Sequence, residues 1–310
     1  MTQVYIMKLL VSGLLNIETT VAVRGFPIDY YPIDYPFFGV NAAVSGVGYN
    51  IAKALRTLGD EVQLHSFIRS DDEGDRVMTQ LQRDGIGTDG VRRTLKATPT
   101  SAVLYDPDGR RQIYCDLKDI QEQALDPHDV SFDDCAIAAI CNINFNRALI
   151  KAAKAKGAVT ATDVHVLSGI EDDYNRDFME NADILFLSDE SLPCPAAQFI
   201  RQLYDRYHNR VIVIGMGGKG AMLLDAATEK VMHLSACRNI SVVNTVGAGD
   251  ALFAAFLHFT AKGFAPVDAL KRAEVFAAVK IGHNGASKGF CSENAVEAKL
   301  PAADISIIEL

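Results

Sequence analysis

Two hydrophobic periods take turns along this chain. Asn16 to Val23 alternates polar and apolar residues, and Val62 to Ile68 does the same, as half-exposed strands do. From Gly46 the spacing changes: Ile51, Ala54, Leu55 and Leu58 recur at three- and four-residue intervals and stop at Gly59, which predicts a helix. A second helix is expected over Asp72 to Arg83, closed by Gly85, and a third over Arg147 to Lys156, ending at Gly157. Lys8 to Gly13 reads as the first core strand. Ala136 to Ile140, Val159 to Val164, Ile184 to Leu187 and Val211 to Ile214 are short apolar runs suited to buried strands. Thr100 to Tyr105 and Arg111 to Cys115 are two more, joined by the turn Asp106-Pro107-Asp108-Gly109. Strands alternating with helices predict a mostly parallel sheet covered on both faces. No stretch reads as an interdomain linker, so a single α/β domain over residues 1–310 is expected, with lid segments at about 16–41 and 97–117.

Phe26 to Phe38 breaks both periods. Pro27, Pro32 and Pro36 exclude a helix or a central strand. Its aromatics suit a loop packed on the core, or a lid over a substrate or a second subunit.

The most informative junction is Asn244-Thr245-Val246-Gly247-Ala248-Gly249-Asp250. The β-branched run Ile240 to Val243 before it reads as a strand, and the Ala/Phe-rich run after it reads as a helix. Glycines at a helix start expose backbone N–H groups, where the helix dipole adds partial positive charge, so a phosphate can approach closely. Asp250 there is either a helix cap or a reacting carboxylate.

Charge and cysteines narrow the setting. A net charge of −9, with no basic cluster, argues against a nucleic-acid surface, although local N–H groups can still hold a phosphate. The six cysteines form no C-x-x-C pair and read as thiols of a reducing compartment. The apolar stretch Val4 to Leu15 lacks a signal-peptide layout, and no run is long enough to cross a bilayer, so a cytoplasmic protein is expected.

Gly247-Ala248-Gly249-Asp250 is similar to the GAGD signature of the ribokinase-like (PfkB) carbohydrate kinases. Ser45-Gly46-Val47-Gly48-Tyr49-Asn50-Ile51-Ala52, closing at Leu58-Gly59, resembles the family's other signature, with Ser45 in place of its first glycine. The resemblance runs through almost the whole chain. It implies a three-layer fold with a small β lid, Asp250 as the base that deprotonates a substrate hydroxyl, and Gly247, Ala248 and Gly249 as an anion hole. Gly46 and Asn50 would then contact the substrate. So would Asn16 and Glu18, which stand where the family usually has Asn-x-Asp; Glu18 sets its oxygens further out. Gly215-Met216-Gly217-Gly218-Lys219-Gly220 contains G-x-G-x-x-G, but the strand-like runs that follow predict a hairpin, not the helix a dinucleotide site needs. It looks like the nucleotide-binding segment of the same kinases, which assigns Gly217, Lys219 and Gly220 to the cofactor, together with Thr245 and the turn His283-Asn284-Gly285. Asp189 and Glu190 occupy the place of the family's Asn-x-x-Glu, neither end of which is kept; they are the candidate Mg²⁺ residues. Arg110 and Arg111 are read as solvated hairpin-tip residues.

The expected activity is ATP-dependent transfer of a γ-phosphate to a hydroxyl of a sugar or sugar-like molecule, with Mg²⁺ as cofactor and a monovalent cation left open. The alternatives are a nucleoside kinase, a non-catalytic sugar- or nucleotide-sensing relative and, last, a dehydrogenase. The apolar lid, including Phe37 and Phe38, is consistent with a homodimer formed through it. No nucleic-acid or membrane partner is expected.

Overall fold

The computed structural model describes residues 6–238 and 241–310. Along the chain come β1 (Lys8–Ser12), β2 (Asn16–Ala22), β3 (Val40–Ser45), α1 (Val47–Leu58), β4 (Glu61–Phe67), α2 (Asp72–Arg83) and β5 (Val91–Arg92). Then follow β6 (Thr100–Tyr105), β7 (Arg111–Asp116), β8 (Ile137–Ile140), α3 (Arg147–Ala155), β9 (Thr160–Val166), α4 (Arg176–Asn181) and β10 (Ile184–Ser188). The remainder is α5 (Ala196–Tyr207), β11 (Val211–Gly215), β12 (Ala221–Asp225), β13 (Lys230–Leu234), α6 (Ala248–Ala261), α7 (Pro266–Ile281), α8 (Glu293–Lys299) and β14 (Ile307–Glu309).

Ten strands form the main sheet in the order β14-β13-β12-β11-β10-β9-β8-β1-β4-β5. The block from β11 to β5 is parallel, and β12, β13 and β14 add an antiparallel edge. Neighbouring residues of a strand face opposite sides. Leu9 and Val11 therefore enter the apolar layer shared with α1, α6 and α7, while Leu10 enters the one shared with α3, α4 and α5. The run Ala251 to Leu257 of α6 is buried all round, with Phe253 and Phe256 against Phe186 of β10. A helix with no polar face at that point suits the middle of a layer. The chain thus has the ribokinase-like fold, a large mostly parallel sheet between helices.

A second sheet of four strands, ordered β3-β2-β6-β7, stands apart from the first. In it β2 runs antiparallel to β3 and parallel to β6. Residues 23–39 hold no strand or helix, as their prolines require. The aromatics of this loop are not packed on the core: Phe37 is 85% exposed and Phe38 99%.

One expected strand does not form. Ser241 to Val243 belong to no sheet, and Ile240 lies outside the described residues. Here tertiary contact overrides β propensity: Val242 and Val243 are exposed, and the N–H groups of Val243 and Asn244 both donate to the Ile281 carbonyl at the end of α7.

Candidate active site

Local backbone demands explain the glycines first. Gly247 has φ 77°, and a Cβ on it would lie 2.3 Å from the Ala286 carbonyl oxygen. Only glycine tolerates both. Gly46 is similarly forced, at φ 101° and with a Cβ that would meet the Leu14 carbonyl oxygen at 2.4 Å. These two close approaches seat the start of α6 against the turn after α7 and the start of α1 against the turn after β1.

With the helix starts fixed, their first turns face each other. Asn50 Nδ2 donates to Asp250 Oδ2 at 2.7 Å. The cap reading of Asp250 fails, because the residue flanking α6 is Gly247 and no side chain caps that end. On the small sheet, Glu18 pairs with Ala43, so Ser45 lies diagonally across on the same face. Ser45 Oγ stands 3.3 Å from Glu18 Oε2 and 3.5 Å from Asn50 Oδ1; its single proton serves one of them at a time. The serine in place of a glycine therefore links the two candidate substrate residues. Asn16 turns toward β6 and donates to Ser101 Oγ at 3.0 Å, while its Oδ1 has no partner among the described residues.

The carboxylates are tuned by burial. Burial pushes the Asp250 carboxyl above the ordinary range, opposed by the Asn50 hydrogen bond and by the fields of His165 and Lys280; Asp163 reinforces the rise. Burial also raises Glu18, against the Ser45 hydrogen bond. A carboxylate with a raised pKa is a better proton acceptor.

Of the three amides expected to form an anion hole, one is already bonded within the chain. Ala248 N–H donates to the Thr245 carbonyl at 3.1 Å and is taken up. The N–H groups of Gly247, Gly249 and Asp250 have no partner among the described residues.

The cofactor candidates fall into two places. Asn284 and Gly285 line a cavity of about 150 Å³ together with Glu18, Ser45 and Phe38. Asn284 Oδ1 also accepts from Asn244 Nδ2, and exposed His283 turns back to the Val279 carbonyl. Thr245 is exposed at the edge of the glycine turn. Gly217, Lys219 and Gly220 lie in the tight turn between β11 and β12. Gly220 is required by packing, since a Cβ there would sit 2.0 Å from the Leu234 carbonyl oxygen, whereas Gly217 faces open space. The turn leads into the β12–β13 hairpin, so the helix of a dinucleotide site is absent there. A larger cavity, about 600 Å³, lies among Val21, Phe26, Tyr31 and Val40 and includes none of the candidate site residues.

Asp189 and Glu190 follow β10, and each faces a cation. Lys219 Nζ is 3.3 Å from Asp189 Oδ2, and Arg111 Nη2 is 3.9 Å from Glu190 Oε1. Among the described residues, no group of three or more His, Cys, Asp or Glu gathers to hold a metal. Arg110 folds onto the turn residue Asp106, as a hairpin-tip residue does. Arg111 does not: its Nη1 lies 3.4 Å from Thr245 Oγ1, spanning from the small sheet to the glycine turn.

Three further residues escaped the sequence reading. Asp163 and His165, at the end of β9, act on the Asp250 carboxylate; they sit at the carboxyl end of a parallel strand, where α/β sheets collect ligands. Lys280 is wholly buried on α7 and donates to the Val246 carbonyl. Nothing in its helical spacing distinguished it from a solvated lysine.

Two carboxylates, Asp250 and Glu18, thus gather beside a glycine turn whose Gly247, Gly249 and Asp250 amides have no partner among the described residues. The pfkB family carbohydrate kinase model matches residues 8–293, and the chain belongs to that family. It is 27% identical over 252 residues to the acarbose 7(IV)-phosphotransferase of Actinoplanes sp., covering 80% of this chain and 83% of that one. A microbiome-derived acarbose kinase superposes with a TM-score of 0.85 at 23% identity, covering 96% of this chain and all of the other. A protein from E. coli described as ribokinase II, solved with ATP and Mg²⁺, superposes with a TM-score of 0.77 at 20% identity, covering 96% and 100% of the two chains. The chain is an ATP-dependent phosphotransferase of the sugar-kinase type.

Proposed function

We propose that the acceptor is a primary hydroxyl of a sugar or sugar-like molecule, bound by Glu18, Asn50 and the Gly46 turn, and that Asp250 takes its proton. The observation that carries this is the 2.7 Å Asn50–Asp250 hydrogen bond, which aims a carboxylate of raised pKa beside the unpaired amides of Gly247 and Gly249. Asp250 removes the hydroxyl proton as the oxygen attacks the γ-phosphorus of ATP. The γ-phosphoryl group moves to that oxygen and ADP leaves. The amides hold the charge that spreads over the transferred group, so the protein supplies placement and electrostatics. Thr245 and the Gly217–Gly220 turn lie on the nucleotide side, and the small sheet with its proline-rich loop serves as the lid.

Mg²⁺ suits the oxygen donors Asp189 and Glu190. Glu190, just after β10, shares Arg111 with Thr245 of the glycine turn, and would reach the ion through water. Bound there, the ion supplies charge neutralisation on the phosphates. Unpaired thiols, Cys141 among them, fit a reducing cytoplasm.

A nucleoside acceptor is the second reading. Phe38, 99% exposed, borders the cavity that holds Glu18 and is free to stack on a base. The same exposed lid aromatics suit a dimer, which light scattering would reveal. An ADP-release screen over ribose, fructose, acarbose, adenosine and pseudouridine, with and without Mg²⁺, separates the readings. Turnover on sugars alone supports the first, and on nucleosides alone the second. ATP binding without ADP from any acceptor would point to a ligand-sensing protein and overturn both.

A further inference from the structure

We propose that Lys280 is a positioning residue of the anion hole: its ammonium, bonded from inside the protein to the Val246 carbonyl, turns the Gly247 N–H toward the transferred phosphate and backs the loop with positive charge. This rests on the phosphotransfer reading above.

The geometry comes from one peptide plane. In a trans peptide the carbonyl and the following N–H point in opposite directions. Lys280 Nζ holds the carbonyl side of the Val246–Gly247 plane. The N–H side is then turned away from α7, and Gly247 N–H has no partner among the described residues. The preceding plane is fixed as well. Val246 N–H donates to Asn244 Oδ1 at 2.8 Å, and the N–H groups of Val243 and Asn244 both end on the Ile281 carbonyl. The last turn of α7 therefore grips the glycine loop at several points, and Lys280 is the only one of these carrying charge.

Burial makes that charge unusual. Lys280 is 0% exposed, and lysine is almost never fully buried unless paired. No carboxylate lies within salt-bridge distance of it among the described residues. Its surroundings are the carboxylates of Asp250 on α6 and Glu18 on β2, which favour the ammonium, and Arg111 on β7, which opposes it. Burial nevertheless dominates and brings the amine down to about 8. The ammonium is present at neutral pH and is lost as pH rises through that value. A lysine whose only task was to satisfy a carbonyl at a helix end would need no such setting.

The test compares wild type with Lys280→Met and Lys280→Arg, measuring ADP release across pH 6.5 to 9.5 as about four spaced points per unit, with circular dichroism to check folding. Wild-type kcat is expected to fall above about pH 8. Lys280→Met should lose about 10–100-fold in kcat with KM for ATP little changed, and show no alkaline limb. Lys280→Arg, whose charge does not titrate in this range, should lack the limb too. A wild-type kcat that stays flat through this range overturns the proposal whether or not the variants fold. So does a folded Lys280→Met enzyme with near-wild-type kcat, or one that is slow yet keeps the limb. Absence of turnover in wild type with every acceptor would instead remove the phosphotransfer reading itself.

Discussion

Asn50 and Asp250 stand 200 residues apart in the chain and 2.7 Å apart in space, amide nitrogen to carboxylate oxygen. The bond joins the first turn of α1 to the first turn of α6, and the second Asp250 oxygen has no hydrogen-bond partner among the described residues. Replacing Asp250 by Asn should keep the fold and ATP binding while lowering turnover about 10²–10⁴-fold. Isothermal calorimetry with ATP and a single-turnover assay check the two halves, and near-normal turnover would refute the assignment.

The same bond has a pH signature. In the proposed role Asp250 acts as a carboxylate, so the rate is expected to fall as pH drops through its raised pKa. The Asn50 hydrogen bond lowers that pKa. Asn50→Ala removes the opposition, so the acid limb of kcat/KM should move to higher pH than in wild type. A limb that stays in place would mean Asp250 is not the titrating base.

On the proposed function Glu18 binds the acceptor and leaves the nucleotide alone. Its bond from Ser45 fixes the carboxylate on the cavity wall. Glu18→Gln should raise KM for the acceptor about 10–100-fold, the worth of a charged hydrogen bond, with KM for ATP unchanged. Equal changes in both would place Glu18 elsewhere.

Arg111 reaches from the small sheet to the glycine turn through Thr245 and to the end of β10 through Glu190. Both contacts are long and partly exposed, so their contribution to stability is small. Arg111→Met should leave the melting temperature within about 2 °C but weaken ATP binding about tenfold or more as positive charge leaves the turn. A variant that binds ATP as wild type does would make Arg111 a surface residue, the role its place at a hairpin suggested.

Glu274 on α7 offers a stability test remote from the chemistry. Burial alone pushes its carboxyl up to about 8. The folded state thus binds a proton more tightly than the unfolded chain. That contribution is full below the ordinary carboxylate value and is lost as pH rises toward about 8. Glu274→Gln should therefore flatten this decline and stabilise the protein by about 1–3 kcal/mol near the upper end, seen as a higher melting temperature. A pH–stability curve identical to wild type would show that Glu274 titrates normally.

Element types and the places where the backbone must bend were legible in the residues themselves. The helix Asp72–Arg83 and the strand pair Thr100–Tyr105 and Arg111–Asp116 form where period and turn chemistry put them, because those preferences act over a few residues. Gly46 and Gly247 marked the two helix starts for the same local reason. What sequence could not decide is which surfaces meet. Ser241 to Val243 had strand propensity but found no neighbouring strand, Ala248 N–H was claimed by Thr245, and Arg111 and Lys280 looked like any solvated cation until packing turned one across the cleft and sealed the other beneath the glycine loop. Propensity belongs to a residue and its near neighbours; burial, and the charge and proton affinity that follow from it, belong to the assembled fold.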